Sequence, residues 1–155
     1  NQAVTSTPRV ETMFFWKHLV LANLISGVNA SGDINNPAWG ETHPVSKMRG
    51  GYHVMYFSPV QCRAGTAPNI NCGGNAHSVR LQNVINGPPS SGGAGQQAVS
   101  PRRAAIIDRT LDDGLPQRGS VQAEDGDGSG ARGCDGAAYD ESVGQKNCFM
   151  FFNID

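Results

Sequence analysis

Apolar and polar positions follow two periods along this chain, and the longest apolar run comes early. From Thr7 to Gly27, TPRVETMFFWKHLVLANLISG, the residues Met13, Phe14, Trp16, Leu19, Val20, Leu21, Leu24 and Ile25 recur at helical spacing. Glu11, Lys17, His18 and Asn23 are the polar interruptions. Thr7 before Pro8 reads as a helix start, because the hydroxyl accepts from an orphan backbone N–H and proline lacks a donor the first turn has no use for. Gly27 reads as the stop, since glycine takes the left-handed position without steric cost. The apolar face is wide. It predicts a helix packed by more than one neighbour, and a sheet laid across it supplies one.

The period then changes. Val28 to Gly51 is broken by Gly32, Asn35, Asn36, Pro37, Gly40 and Pro44 and reads as irregular. Gly50-Gly51 opens a strand, Tyr52 to Phe57, with bulk on both faces, which predicts a central position in a sheet. Ala76 to Ile85 predicts a second strand, more exposed, with Val79 and Leu81 on one face and Arg80, Gln82 and Val84 on the other. Asn86 to Gly93 is a surface loop. Ser100-Pro101 repeats the start signal and Gly114 the stop, enclosing a helix of about thirteen residues. Its apolar face is Ala104, Ile107 and Leu111, with Arg102, Arg103, Asp108, Arg109 and Asp112 solvated. A brief strand follows near Ser120 to Ala123, then a Gly/Asp-rich loop from Glu124 to Asp140. Cys148 to Ile154 is a last strand, apolar on both faces and expected to pack on the opening helix. Short strands with irregular links favour an antiparallel sheet, so the expected class is α+β: about four strands on an N-terminal helix, with a second short helix.

A length of 155 residues predicts a single domain over 1–155. Charged residues make up 16% of it, below the roughly 25% of an average domain, and 20 glycines with 9 prolines indicate much loop. A net charge of -1 supplies no general attraction to nucleic acid or an anionic membrane. No run reaches the about 18 to 20 apolar residues of a membrane span. Four cysteines fall into two local pairs, Cys62 with Cys72 and Cys134 with Cys148. Three pairings are formally open; the sequential one closes two short loops, at roughly 3 kcal/mol each, and implies an oxidising compartment. Neither pair has the close spacing of a zinc knuckle.

Candidate chemistry is sparse. His18, His43, His53 and His77 are scattered, with no helical metal pair among them, and read as surface or strand histidines. No nucleophile elbow is present, and Gly126-x-Gly128-x-Gly130 lacks the strand, helix and lysine of a phosphate loop. A secreted hydrolase therefore lacks a nucleophile-base pair. Asp112 and Asp113, at a helix C-terminus, fit capping and turn chemistry better than paired catalytic carboxylates. Asp125, Asp127 and Ser129 followed by Gly130 reproduce the first half of a calcium loop, but the closing acidic position is Gly136. Backbone carbonyls, Glu124, Asp135, Asp140 or Glu141 could complete a calcium site; otherwise the stretch is a solvated acidic loop tied down by the second disulfide. Asn29-Ala30-Ser31 is a formal glycosylation sequon of low specificity. Trp39 reads as a lid on the core; the loop around it, Val28 to Gly50, is what a secreted adhesin or glycan-binding module would use.

The order FFWKHLVLANLISG, GGYHVMYF, AIIDRTLDDGLPQRGSVQA, then a cysteine, Tyr139 and a final CFMFF resembles the globular region of type IV pilin-like and pseudopilin proteins. Its most specific parts are the W-K-H-L-x-L-A-x-L-I-S-G helix and the I-D-x-x-L-D-D-G-L-P-x-x-G-x-V turn. The resemblance implies a non-enzymatic structural subunit of an extracellular filament, with a disulfide-bounded C-terminal loop on its surface and other pilin subunits as partners. The family's long apolar N-terminal helix and cleavage motif are not in this sequence. The expectation is either that they belong to a longer precursor or that a short helical pilin chain supplies them, with the membrane reached only through that missing helix or that partner.

Overall fold

A computed structural model describes residues 11–57, 76–83, 85, 96–125, 133–134 and 136–154. Along the chain these form α1 (Glu11–Leu21), β1 (Gly51–Phe57), β2 (Ala76–Gln82), α2 (Pro101–Leu111), β3 (Val121–Glu124) and β4 (Phe149–Asn153). The four strands make one antiparallel sheet in the order β1-β2-β4-β3. The class is α+β, as the periodicity predicts. Among the described residues no helix is long and apolar enough to cross a membrane.

Two strand positions differ from expectation. β1 lies at an edge of the described sheet, not at its centre. It carries bulk on both faces because His53, Val54 and Met55 are all buried, so cover above and below, not flanking strands, explains its composition. β2, read as the exposed strand, is interior, and its polar Ser78, Arg80 and Gln82 are buried along with Leu81.

Registry sorts the residues into two layers. Tyr52, Leu81, Met150 and Ala123 share one row, and Val54, Val79, Phe152 and Val121 the next. On this face Leu81, Met150, Val121 and Ala123 join Ala98, Val99, Ala104, Cys134 and Cys148 in an apolar cluster, with Ile107 of α2 packed against it. On the other face His53, Arg80, Phe151 and Gln122 share a row, and Phe149 stands beside Glu124. α1 packs against β1, and its buried Met13 does not belong to the α2-side cluster. β4, expected to pack on α1, lies between β2 and β3, and the strand that α1 packs on is β1.

The turn into β1 explains its glycines. Gly50 has φ +66, and a Cβ there would stand 1.9 Å from the carbonyl oxygen of Gln82. At Gly51 a Cβ would meet the carbonyl oxygen of Pro44 at 2.2 Å and the Trp39 ring at 2.4 Å. A bare Gly51 lets the 38–46 loop lie this close to the sheet, and a bare Gly50 lets the turn run against the end of β2.

Both helices end earlier than the glycines suggest. At α1 the Leu24 N–H reaches the carbonyl of Leu19 and the Asn23 N–H that of Val20, each at 2.9 Å, with Asn23 at φ +58. This is a Schellman end with asparagine in the left-handed position, so Gly27, though at φ +83, serves the following loop. The expected start at Thr7 and Pro8 lies outside the described residues. At α2, Ser100 is the extended N-cap residue, with Pro101 in the first turn, but its side chain makes no cap bond. The helix stops at Leu111 because Asp112 turns away to accept the N–H groups of Ser120 and Val121 at the start of β3.

Candidate functional site

Sequence logic places the most distinctive local chemistry around the second cysteine pair. Cys134 and Cys148 are bonded, with Cα atoms 5.6 Å apart. Cys148 also exchanges backbone bonds with Val99, ahead of α2, so the bridge ties the 134–148 loop to the base of that helix. The loop is then held along α2. Tyr139 donates its hydroxyl to Asp108 at 2.7 Å, and Arg109 donates to Glu141 at 2.8 Å in an exposed ion pair.

Asp108, expected on the solvated face, is fully buried. Its second oxygen accepts the Gly114 N–H at 2.9 Å, so one carboxylate fixes both the 134–148 loop and the end of α2. Burial raises its pKa, against the lowering effect of the Tyr139 and Gly114 bonds; nearby Asp113 and Asp112 raise it further. Tyr139 is pushed up in turn, first by burial and then by its bond to Asp108.

The carboxylates that come together are therefore Asp108, Asp112 and Asp113, whose oxygens lie within 4.8 Å of one another. Each carries backbone duties. Asp112 gathers Ser120 and Val121, and Asp113 accepts the Leu115 N–H at 2.8 Å. The capping and turn role expected of Asp112 and Asp113 is what the geometry shows. The residues expected to begin a calcium loop fare differently: Asp125 is fully buried at the end of β3, while Asp127 and Ser129 lie outside the described residues. Of the carboxylates that would complete it, Glu124 is buried on the sheet, Asp140 accepts from Ser142, and Glu141 pairs with Arg109; Asp135 lies outside the described residues. Cys62 and Cys72 also lie outside them.

A second constellation was not singled out from sequence. His43 and His53, 10 residues apart in sequence, stack with ring centroids 4.8 Å apart and planes 23° from parallel, both with no exposure. His43 Nδ1 is 2.9 Å from the Thr42 hydroxyl. His43 Nε2 and both nitrogens of His53 are buried without a hydrogen-bond partner. Burial lowers the His43 pKa to about 4. Burial, then the charges of His43 and Arg80, lower that of His53 to about 3.

Arg80, in the same row as His53, lies with Cζ 3.7 Å above the centre of the Phe149 ring and 5.6 Å from that of Phe151. Its guanidinium also meets the Met55 sulfur at 3.8 Å. Burial lowers its pKa to about 10, and the charge of Glu124 opposes the shift. The signal that points to this layer lies in β4. CFMFF, apolar on both faces, requires that the face shared with Arg80 and His53 be buried too.

Trp39 holds the expected structural position. It donates Nε1–H to the carbonyl of Asn83 at 3.0 Å and lies edge-on to His43. Asn29 of the sequon is exposed, its side chain accepting the Ser31 N–H at 2.9 Å. His18 and His77 are exposed, as expected of surface histidines. No protein-family model, curated protein or solved structure matches the chain.

Proposed function

We propose that this chain is a structural subunit, a pilin-like globular head of an extracellular type IV pilus or secretion pseudopilus filament, that acts by assembly and surface display and not by catalysis. The supporting observation is α1. Met13 is buried, but Phe14, Phe15, Trp16, Leu19 and Val20 are only partly so, and Leu21 and, in the turn just after the helix, Leu24 are 67% and 69% exposed. A helix this apolar, covered mainly by β1, suits packing among helices of neighbouring subunits. The 134–148 loop, bridged and clamped to α2, fits the displayed surface.

In this reading a Cys62–Cys72 bridge is a second staple, and the partners are other pilin subunits, whether through an N-terminal helix of this protein's precursor or through a short helical pilin chain. Imaging of native surface filaments tests it: density for this domain should repeat along the fibre. A protein secreted as a free monomer, with no repeating assembly, would overturn it. Intact mass of the native subunit then separates one continuous polypeptide from a docked pair.

A further inference from the structure

We propose that the stacked imidazoles of His43 and His53 form an acid-operated latch, which closes the 38–46 loop over β1 when neutral and releases it when protonated.

The geometry makes the pair a closure and not a metal site. The ring planes are nearly parallel, so their lone pairs do not converge on one point, and no third His, Cys, Asp or Glu among the described residues completes a set with them. Among the described residues the other fastenings of the loop are neutral. Tyr52 N–H donates to Pro44 at 3.0 Å, Ser46 N–H to Gly50 at 2.9 Å, and Trp39 to Asn83.

The charges facing the pair all oppose protonation. On β2, Arg80 acts on His53, and His43 adds to that effect; His43 itself is opposed by burial. Glu124 of β3 is directed at Arg80. In the loop, Glu41 and Lys47 are exposed; on α1, the described titratable side chains are Lys17, half-buried, and His18, exposed. A proton on either ring thus enters a dry site with no acceptor for the new N–H, and on His53 it also meets the charge of Arg80. The loop relieves this by lifting off, because opening exposes both rings to water while leaving the ladder from β2 to β3 intact. Asn29, whose N–H donates to the Glu41 carbonyl at 2.6 Å, would be freed with it, which links the exposed segment before the loop to the same event.

Hydrogen exchange on the whole chain, corrected for intrinsic rates, tests the latch between pH 7 and 4. Opening at the amides of Tyr52 and Asn29, which donate to the loop carbonyls of Pro44 and Glu41, should rise by about tenfold per pH unit for each histidine below the ordinary imidazole range, ahead of the amides of β2 and β4. His43→Leu with His53→Leu should flatten that dependence. Loop and sheet amides opening together, or an unchanged slope in the double variant, would overturn the proposal. Should the variant not fold, imidazole proton resonances in the wild-type protein decide: titration of His43 or His53 near 6.5 with the loop closed refutes the latch, and titration only as the loop amides open supports it.

Discussion

The two faces of the sheet are equally dry and built on opposite principles. Under α2, Leu81, Met150, Val121, Ala123 and Ala104 fill space with apolar groups that need no particular partner. On the reverse face His53, Arg80, Gln82, Gln122 and Glu124 are buried with Phe149 and Phe151. There stability depends on named pairings, because a buried charge or amide without its partner costs several times what a small void does. The apolar face tolerates change in proportion to volume. The polar face should respond to pH and to the loss of single partners, and can be rescued by changing two residues together.

Acid is the strongest way to separate them. The folded-state pKa values of about 4 for His43 and about 3 for His53 lie below the ordinary 6.5, so the folded protein binds fewer protons than the unfolded chain. Stability from the pair is complete above that ordinary value and is lost as pH falls through the window between. Two such groups amount to on the order of 5 kcal/mol by pH ~4.5, comparable with the whole stability of a small domain. Urea unfolding at pH 7 and near 4.5 should show this loss. A midpoint that moves no further than in the His43→Leu/His53→Leu variant would remove the distinction between the faces.

Arg80 comes next. Arg80→Met leaves Glu124 without the cation that acts on it and should cost about 3–5 kcal/mol. Adding Glu124→Gln should return a large part of that. Leu81→Ala, on the other face, should cost about 2–5 kcal/mol, and Glu124→Gln should not restore it. Equal recovery in both backgrounds would show that the faces do not differ in kind.

This asymmetry also explains what could be read from the chain. Helices, strands and their antiparallel pairing follow from period and punctuation, which are local. The edge position of β1 does not, since burial of a strand on two faces looks the same in sequence as burial between two strands. Arg80 between Val79 and Leu81 has the alternation of a solvated face, and only the doubly apolar β4 hints that this face is closed. Asp108 fails for a different reason: four residues after Ala104 it falls on the stripe of Ala104, Ile107 and Leu111, but a carboxylate there reads as solvated, and the hydroxyl that partners it comes from Tyr139, far along the chain. The His43–His53 stack joins a loop to a strand across a turn with no motif, so nothing local announces it.

The bridge on the apolar side is a milder test. Reducing Cys134–Cys148, 14 residues apart, should cost about 3 kcal/mol by restoring loop entropy to the unfolded chain. Because Cys148 sits in the ladder with Val99, the loss should appear as faster exchange in the 134–148 loop and at the start of α2, with the β1–β2 pairing unaffected. Faster exchange at β1 would mean that the two faces are coupled through the sheet.

Asp108 gives the finest discrimination, since it is the one polar group among the described residues of α2 that is fully buried. Tyr139→Phe removes a single bond to it and should cost about 1 kcal/mol. Asp108→Asn should cost less, within about 0.5 kcal/mol, because the amide oxygen still accepts from Gly114 and a buried charge is removed at the same time. The pH dependence carries the sign. Burial raises the Asp108 pKa above its unfolded value, so its contribution is complete at low pH and is lost as pH rises through the folded-state value. Wild type should therefore gain on Asp108→Asn as pH falls through the carboxylate range, while the histidine pair loses stability over much of the same interval. Thermal melts of both proteins at matched pH, with the difference rising toward high pH, would show instead that the Tyr139 and Gly114 bonds outweigh burial.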